Sequence, residues 1–281
     1  PRAHPAKRVA NPDRRPALRG VAVLVVTAVA LTLRILGLNF GLPAIYRPDE
    51  NVAVGRAMGV LHGVLDPHFA DWPHLFFYLS AAWLLPAHLV GLVTDQASAH
   101  LWVRALSALL GTATVLLVID FGRRAYGWSA GLLGGAGLAV AFLAMRDSHF
   151  GTPDTALALA ITAALYVAYR TVARVGGRPL LLNGIALGVA ASFKYNGALV
   201  FLAAATGQAW NALRTPMPAW TVIRRLVIIA VIGVVTLVVT PPFLLPDPPL
   251  PAHGPGSPLS PPPRPHVAPA GRAECPSAPP A

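Results

Sequence analysis

Two carboxylates in tandem, Asp49 and Glu50, directly follow Pro48. The proline biases Arg47 toward extended backbone and so presents the acidic pair from a turn. A carboxylate beside a low-dielectric phase has a raised pKa and takes a proton from a hydroxyl more readily, which makes Asp49 a candidate general base with Glu50 at its side. The plainer alternative is a solvated pair at the N-terminus of a helix starting near Val52. Lys194 is one of only two lysines against twenty arginines, the other being Lys7. Set between two short apolar halves, it suits a point charge for a phosphate, or a partner for Asp154; a lysine snorkelling from a helix end is the plainer reading. Asp154 follows Gly151-Thr152-Pro153. It either caps the helix that follows or supplies a second carboxylate that ligates a metal or orients an acceptor. His149 is a candidate ligand or hydrogen-bond donor with an ordinary structural role as its alternative, and Tyr195 adjoins Lys194 as a further binding candidate.

Other chemistries find little support. Neither GxxxxGK[ST] nor a GxGxxG after a strand occurs, so nucleotide donors are not expected. Cys275 is the single cysteine, which allows no disulfide framework and no thiolate cluster. The cofactor stays open, a divalent metal at Asp154 included. His68, Phe69, Trp72, His74, Phe76, Phe77 and Tyr78 form an aromatic-rich stretch, read first as an interfacial belt and second as a sugar-stacking platform.

The elements that must position these groups are membrane helices. Of 281 residues 55% are hydrophobic and 12% charged, against about a quarter charged in soluble domains. The apolar residues fall in blocks near the ~20 residues that span a bilayer: 18–38, 101–121, 128–144 and 222–239, with 155–169 returning between them. The expected fold is all-α, a polytopic transmembrane helix bundle. A net charge of +11 does not point to nucleic acid, because the arginines sit between apolar blocks rather than on one surface.

Basic loops mark the cytoplasmic side: the N-terminal arm, Arg123-Arg124, then Arg170, Arg174 and Arg178, then Arg214, Arg224 and Arg225. That parity puts Asp49-Glu50, the 146–154 stretch, Lys194 at the turn of a 179–210 hairpin, and Asp247 on the outer face. Residues 73–93 break the count and are expected to be interfacial or re-entrant, unless 62–72 hides another pass. Three regions result: a basic cytoplasmic arm (1–17), a multi-span domain (18–247) and a Pro-rich tail (248–281) expected to be disordered. The abrupt change at 248 suggests a truncated chain.

Over roughly residues 18–247 the chain resembles the lipid-carrier-dependent glycosyltransferases of the GT-C fold, near the protein O-mannosyltransferases and aminoarabinose transferases. The residues that carry the likeness are Tyr46-Arg47-Pro48-Asp49-Glu50, Arg104 to Leu109 leading to Gly122-Arg123-Arg124, the His149–Asp154 stretch, and Phe193-Lys194-Tyr195. Arg47 departs from the histidine frequent in near relatives. The resemblance implies an N-terminal part of a GT-C-like bundle in the cytoplasmic (inner) membrane, with its active face non-cytoplasmic. There a sugar on a polyprenyl phosphate is transferred to an acceptor hydroxyl of a glycan, lipid or protein. On that reading Asp49 is the base, Glu50 supports it, Asp154 orients acceptor or metal, and Lys194 with Arg47 neutralises the departing phosphate. An ion-coupled transporter built on Asp49, Asp154 and Lys194, and an inactive truncated remnant, are the competing readings.

Overall fold

A computed structural model of the chain describes residues 14–243 except 46, 173, 175, 216 and 242, together with all but the side chains of 14 and 15. The chain divides into a unit Pro1–Leu245 and a second, Pro246–Ala281; Asp247, Cys275 and the Pro-rich tail lie outside the described residues. All regular structure among the described residues is helical: α1 (Arg14–Ile35), α2 (Pro48–Leu61), α3 (Leu75–Leu89), α4 (Gln96–Ala125), α5 (Trp128–Val140), α6 (Phe142–Asp147), α7 (Asp154–Thr171), α8 (Gly177–Phe193), a 3-10 turn (Tyr195–Val200), α9 (Phe201–Arg214) and α10 (Ala219–Val239).

Three of these helices are long and apolar enough to cross a membrane: residues Pro16–Ile35 of α1, α4 and α10. Only 6% of the apolar window in the first and 11% in the last is buried within the protein. Such apolar yet uncovered surface, including Leu18, Leu24, Val231 and Val235, suits a lipid solvent. The helices approach one another through small residues, as membrane bundles do where no hydrophobic drive separates helix from lipid. A Cβ on Gly131 would collide with the α4 backbone at Ile119 and Arg123. Gly184 and Gly188 of α8 similarly meet Ile232, Thr236 and the Gly233 carbonyl of α10.

At 30 residues, α4 extends about 45 Å, well beyond the ~30 Å hydrocarbon core. Its N-terminal part carries the largest core cluster, in which Ala53, Val54 and Ala57 of α2 and Phe76, Phe77 and Leu84 of α3 pack on Ala99 and Val103. Asp95 starts the helix with a capping box, its carboxylate accepting from the Ser98 N–H at 2.8 Å; that bond holds the exposed Asp95 carboxyl below its ordinary pKa. With 15 residues and Pro86 inside, α3 is about 22 Å long, too short for a straight crossing. Both α2 and α3 pack on the N-terminal part of α4, an arrangement compatible with the interfacial alternative for 73–93. Phe69, Trp72, Phe76 and Phe77 pack on one another there, and Phe76 and Phe77 are fully buried. The stretch expected to form a belt or platform is thus largely core.

One expected element takes a different form and another is kept. The 128–144 block is divided at Ala141, which is extended (φ −62°, ψ 118°), into α5 and the six-residue α6. No Pro or Gly sits at that break. The expected 179–210 hairpin is present as α8, the 3-10 turn and α9, with Lys194 at the turn.

Candidate functional site

One end of the bundle collects the polar motifs from α2, α4, the 147–154 loop and the α8 turn. Arg47 is the N-cap of α2 in extended conformation (φ −104°, ψ 110°), Pro48 fits the first helical turn, and Asp49 and Glu50 follow within it. One helical step separates two very different environments. Asp49 points outward, exposed, with no hydrogen-bond or ion-pair partner among the described residues. Glu50 is fully buried.

Glu50 is held from three directions. Arg104 donates from Nε to Oε1 at 2.7 Å and from Nη2 to Oε2 at 2.8 Å, a two-pronged pair, and the Gly151 N–H donates to Oε1 at 2.8 Å. Arg104 is itself 2% exposed. Its Nη1 reaches the Leu38 and Phe40 carbonyls at 2.7 and 2.9 Å, and the Phe40 ring lies 4.9 Å from the guanidinium carbon. A buried charge survives in this setting because it is paired and its remaining donors are satisfied. Glu50 therefore fastens α2, α4 and the 147–154 loop together, and of the acidic pair only Asp49 faces outward. Arg104, absent from the sequence-based site, is central to it. The available signal was an arginine inside an apolar block, which is costly unless it has a purpose.

The pairing of Lys194 with Asp154 is realised: Nζ to Oδ1 is 2.5 Å, and the Thr152 hydroxyl donates to Oδ2 at 3.0 Å. Asp154 is the first residue of α7 but does not cap it; its N-cap position is Pro153. Both partners of the ion pair are 30% exposed by side chain, so the pair is only partly covered by the protein. Arg47 stands over the Phe150 ring at 4.5 Å, close enough for its charge to act on Asp154. Lys194, Arg47 and Asp154 thus form one electrostatic group.

His149 and Tyr195 turn out to be ties. The His149 ring nitrogens lie 2.8 Å from the Met145 carbonyl and 2.9 Å from the Leu36 carbonyl, which joins α6 to the end of α1 and leaves neither nitrogen for a ligand. Tyr195 donates its hydroxyl to the Ala70 carbonyl at 3.1 Å; burial, reinforced by Asp71, pushes its phenol pKa up, so it stays a donor. Among the described residues no three of His, Cys, Asp and Glu gather closely enough to hold a metal ion, and the carboxylate considered for one, Asp154, holds Lys194.

An apolar groove of about 280 Å³ starts beside the Lys194 turn. Its lining includes Leu187 and Ala191 of α8, Ala198 and Phe201 after the turn, and Gly233 and Leu237 of α10. The opposite end of the bundle is basic: Asp120 accepts from Arg123 and Arg124 of its own helix and from the Tyr166 hydroxyl of α7.

The family model described as dolichyl-phosphate-mannose-protein mannosyltransferase matches residues 77–245. No curated protein matches the chain. Among solved structures, the chain is similar to the S. cerevisiae protein O-mannosyltransferase Pmt1-Pmt2 complex bound to the sugar donor, with 20% identity and a TM-score of 0.61. The match covers 79% of this chain and 33% of that one, so the present chain corresponds to about a third of the yeast chain.

Proposed function

The chain belongs to the dolichyl-phosphate-mannose-protein mannosyltransferase family, and from that premise we propose that it moves a sugar from a polyprenyl-phosphate carrier to an acceptor hydroxyl at the outer face of the membrane. The observation that carries this reading is a partly exposed Lys194–Asp154 pair at the turn after α8, with an apolar groove lined by residues on both sides of that turn in sequence, Ala191 and Ala198 among them. A phosphate bound at Lys194 leaves its prenyl chain next to Leu187, Ala191 and Phe201, where an apolar tail is favoured over water. Arg47 and Lys194 supply positive charge from two elements around one position.

In the reaction, Asp49 removes the proton of the acceptor hydroxyl as its oxygen bonds to the anomeric carbon. The bond from that carbon to the phosphate oxygen breaks, and the electron pair leaves with the carrier phosphate. The phosphate gains a second negative charge, which the fixed cations Lys194 and Arg47 stabilise without reorganising. Glu50, Arg104 and Gly151 keep Asp49 registered against the loop that leads to Asp154. The basic far end of the bundle, with Arg123, Arg124 and Arg170, supports a cytoplasmic location for that end and an outer location for the site.

The test uses the full chain in lipid nanodiscs with a polyprenyl-phosphate mannose donor. Asp49→Asn is expected to retain donor binding and to lose transfer by about 10²–10⁴-fold, the usual contribution of a general base. Undiminished transfer in that variant removes Asp49 from the mechanism.

A further inference from the structure

At the end of the bundle remote from Lys194, the C-termini of α4, α7 and α9 meet the N-termini of α8 and α10. Side chains tie them in sequence. The Tyr169 hydroxyl of α7 donates to the Arg124 carbonyl of α4 at 2.9 Å, Asn183 of α8 donates to Thr171 Oγ1 at 2.8 Å, and Asn211 of α9 donates to the Val172 carbonyl. Arg225 of α10 donates to Gln208 of α9 at 3.4 Å. Charge here is one-sided. Asp120 is the one described carboxylate at this end, and it holds Arg123 and Arg124. Arg170, Arg174, Arg178, Arg214, Arg224 and Arg225 have no carboxylate partner among the described residues.

An open groove of about 340 Å³ runs between α7 and α9, lined by positions 165, 168, 169 and 172 of the first helix and 203, 206, 207 and 210 of the second. The same spacing on both sides makes each wall a single helical face. Its small residues, Ala168, Ala203 and Gly207, leave the space that larger side chains would fill. Continuing the α9 face by one turn reaches Arg214, the last residue of that helix, whose guanidinium carbon lies 4.5 Å from the Trp210 ring centroid. A cation therefore stands at the mouth of an apolar channel. Trp210 and Tyr169, at the same level, are 51% and 40% exposed, as suits aromatic rings at a membrane interface. Leu202 and Leu213, beside the groove face of α9, are 61% and 83% exposed, which places this face toward lipid.

We infer that the groove is a binding site for an anionic phospholipid, with one acyl chain lying between α7 and α9 and the phosphate seated on Arg214. The chain fills the space that the small residues leave and regains packing contacts there. The headgroup meets a guanidinium that can donate two parallel hydrogen bonds to phosphate oxygens. Arg170 and Arg174, in the last turn of α7 and just past it, add positive potential that favours an anionic headgroup over a zwitterionic one. The site lies at the opposite end of the bundle from the Lys194–Asp154 pair and does not depend on the transferase reading.

The full chain, stripped of lipid in detergent, is titrated with dioleoyl phosphatidylglycerol or dioleoyl phosphatidylcholine, and bound lipid is counted by native mass spectrometry. One phosphatidylglycerol is expected to bind at least tenfold more tightly than phosphatidylcholine. Equal binding of the two overturns the inference, and that comparison needs no variant to fold. Arg214→Gln is expected to weaken the tight phosphatidylglycerol about tenfold. Arg56→Gln, which removes the same charge from α2 at the other end, should leave it in place. Equal losses in these two variants would mean diffuse attraction and no site at Arg214. Ala203→Leu is expected to expel the tight lipid by filling the groove, and its retention there overturns the seating of the acyl chain. Displacement of phosphatidylglycerol by equimolar farnesyl phosphate would assign the groove to a prenyl carrier. A wild-type dimer that Ala203→Leu abolishes would assign it to a second copy of the chain, and either result overturns the inference.

Discussion

Glu50→Gln separates the two halves of the acidic pair. The substitution preserves shape, removes the charge that faces Arg104, and sets an amide –NH2 against guanidinium donors that now contact carboxylate oxygens at 2.7 and 2.8 Å. Arg104, 2% exposed, keeps only the Leu38 and Phe40 carbonyls. Stripping one partner from a buried ion pair costs about 3–5 kcal/mol, because the remaining charge stays buried without compensation. At about 2–4 °C per kcal/mol for a unit of this size, thermal unfolding is expected to fall by about 6–20 °C. The control is Asp49→Asn, one residue away and free of partners among the described residues, which should unfold within about 1–2 °C of wild type. Both are read by tryptophan fluorescence on heating in the same detergent and at the same scan rate, since unfolding of membrane proteins is often irreversible. Equal melting of Glu50→Gln and wild type refutes the assignment of Glu50 as a fastener. A large loss in Asp49→Asn refutes the assignment of Asp49 as a free carboxylate.

Lys194→Met should weaken farnesyl phosphate binding by about 10- to 100-fold, the range of a charge-assisted hydrogen bond; wild-type affinity would place the phosphate elsewhere. Gly188→Leu drives a side chain into Gly233 and Thr236 of α10. At about 1–3 kcal/mol for overpacking it should lower the melting temperature by about 2–12 °C, and an unchanged melt would show that α8 and α10 do not meet there. For orientation, single cysteines at Asp49, Tyr195 and Arg124 in a Cys275→Ser background are labelled with a membrane-impermeant maleimide on oriented vesicles. The first two should react from outside and the third only from inside, so labelling of Asp49→Cys and Arg124→Cys from one side would break the outer-face proposal.

Much of this architecture is legible in local sequence. Apolar runs and the arginines between them are contiguous signals, so α1, α4, α7, α10 and the hairpin around Lys194 follow from hydropathy and parity alone. The Lys194–Asp154 pair was also accessible, because a lone lysine in an arginine-rich chain needs a reason to be lysine. What local patterns do not carry is which distant group meets which. Glu50 and Arg104 are 54 residues apart, and Arg34 reaches the Ala139 carbonyl 105 residues away. The break at Ala141 has no Pro or Gly to mark it, and the carbonyls before it accept from Arg34 of α1. The structural alternative for His149 could not be given its partner in the same way: the Leu36 carbonyl comes from an element that no spacing rule connects to it. Both buried arginines nevertheless sat in plain view inside apolar blocks. The Gly184 and Gly188 pair in α8 likewise has the spacing that lets membrane helices approach closely.

On the proposed transferase reading, the charges at this end of the bundle bear on how a phosphodiester donor is held. Arg104 and Glu50 cancel within the core, and Arg146 and Asp147 cancel at the surface. Immediately around Lys194, Arg47 and Lys194 stand against Asp154, which gives that trio one positive charge in excess. A sugar linked to a prenyl phosphate brings one negative charge and completes the balance. In the proposed transfer the phosphate becomes a dianion while Asp49 is neutralised by the proton it receives, so on that reading the two changes offset each other. Charge therefore moves from Asp49 toward Lys194 and Arg47 without any net charge crossing the low-dielectric boundary, where moving one would be most costly. That economy requires Asp49 to be outward and unpaired, Asp154 to remain ionised behind Lys194, and Glu50 to be permanently occupied by Arg104. Asp49 is exposed, Asp154 contacts Lys194 and Glu50 is held by Arg104, which is the disposition that reading needs.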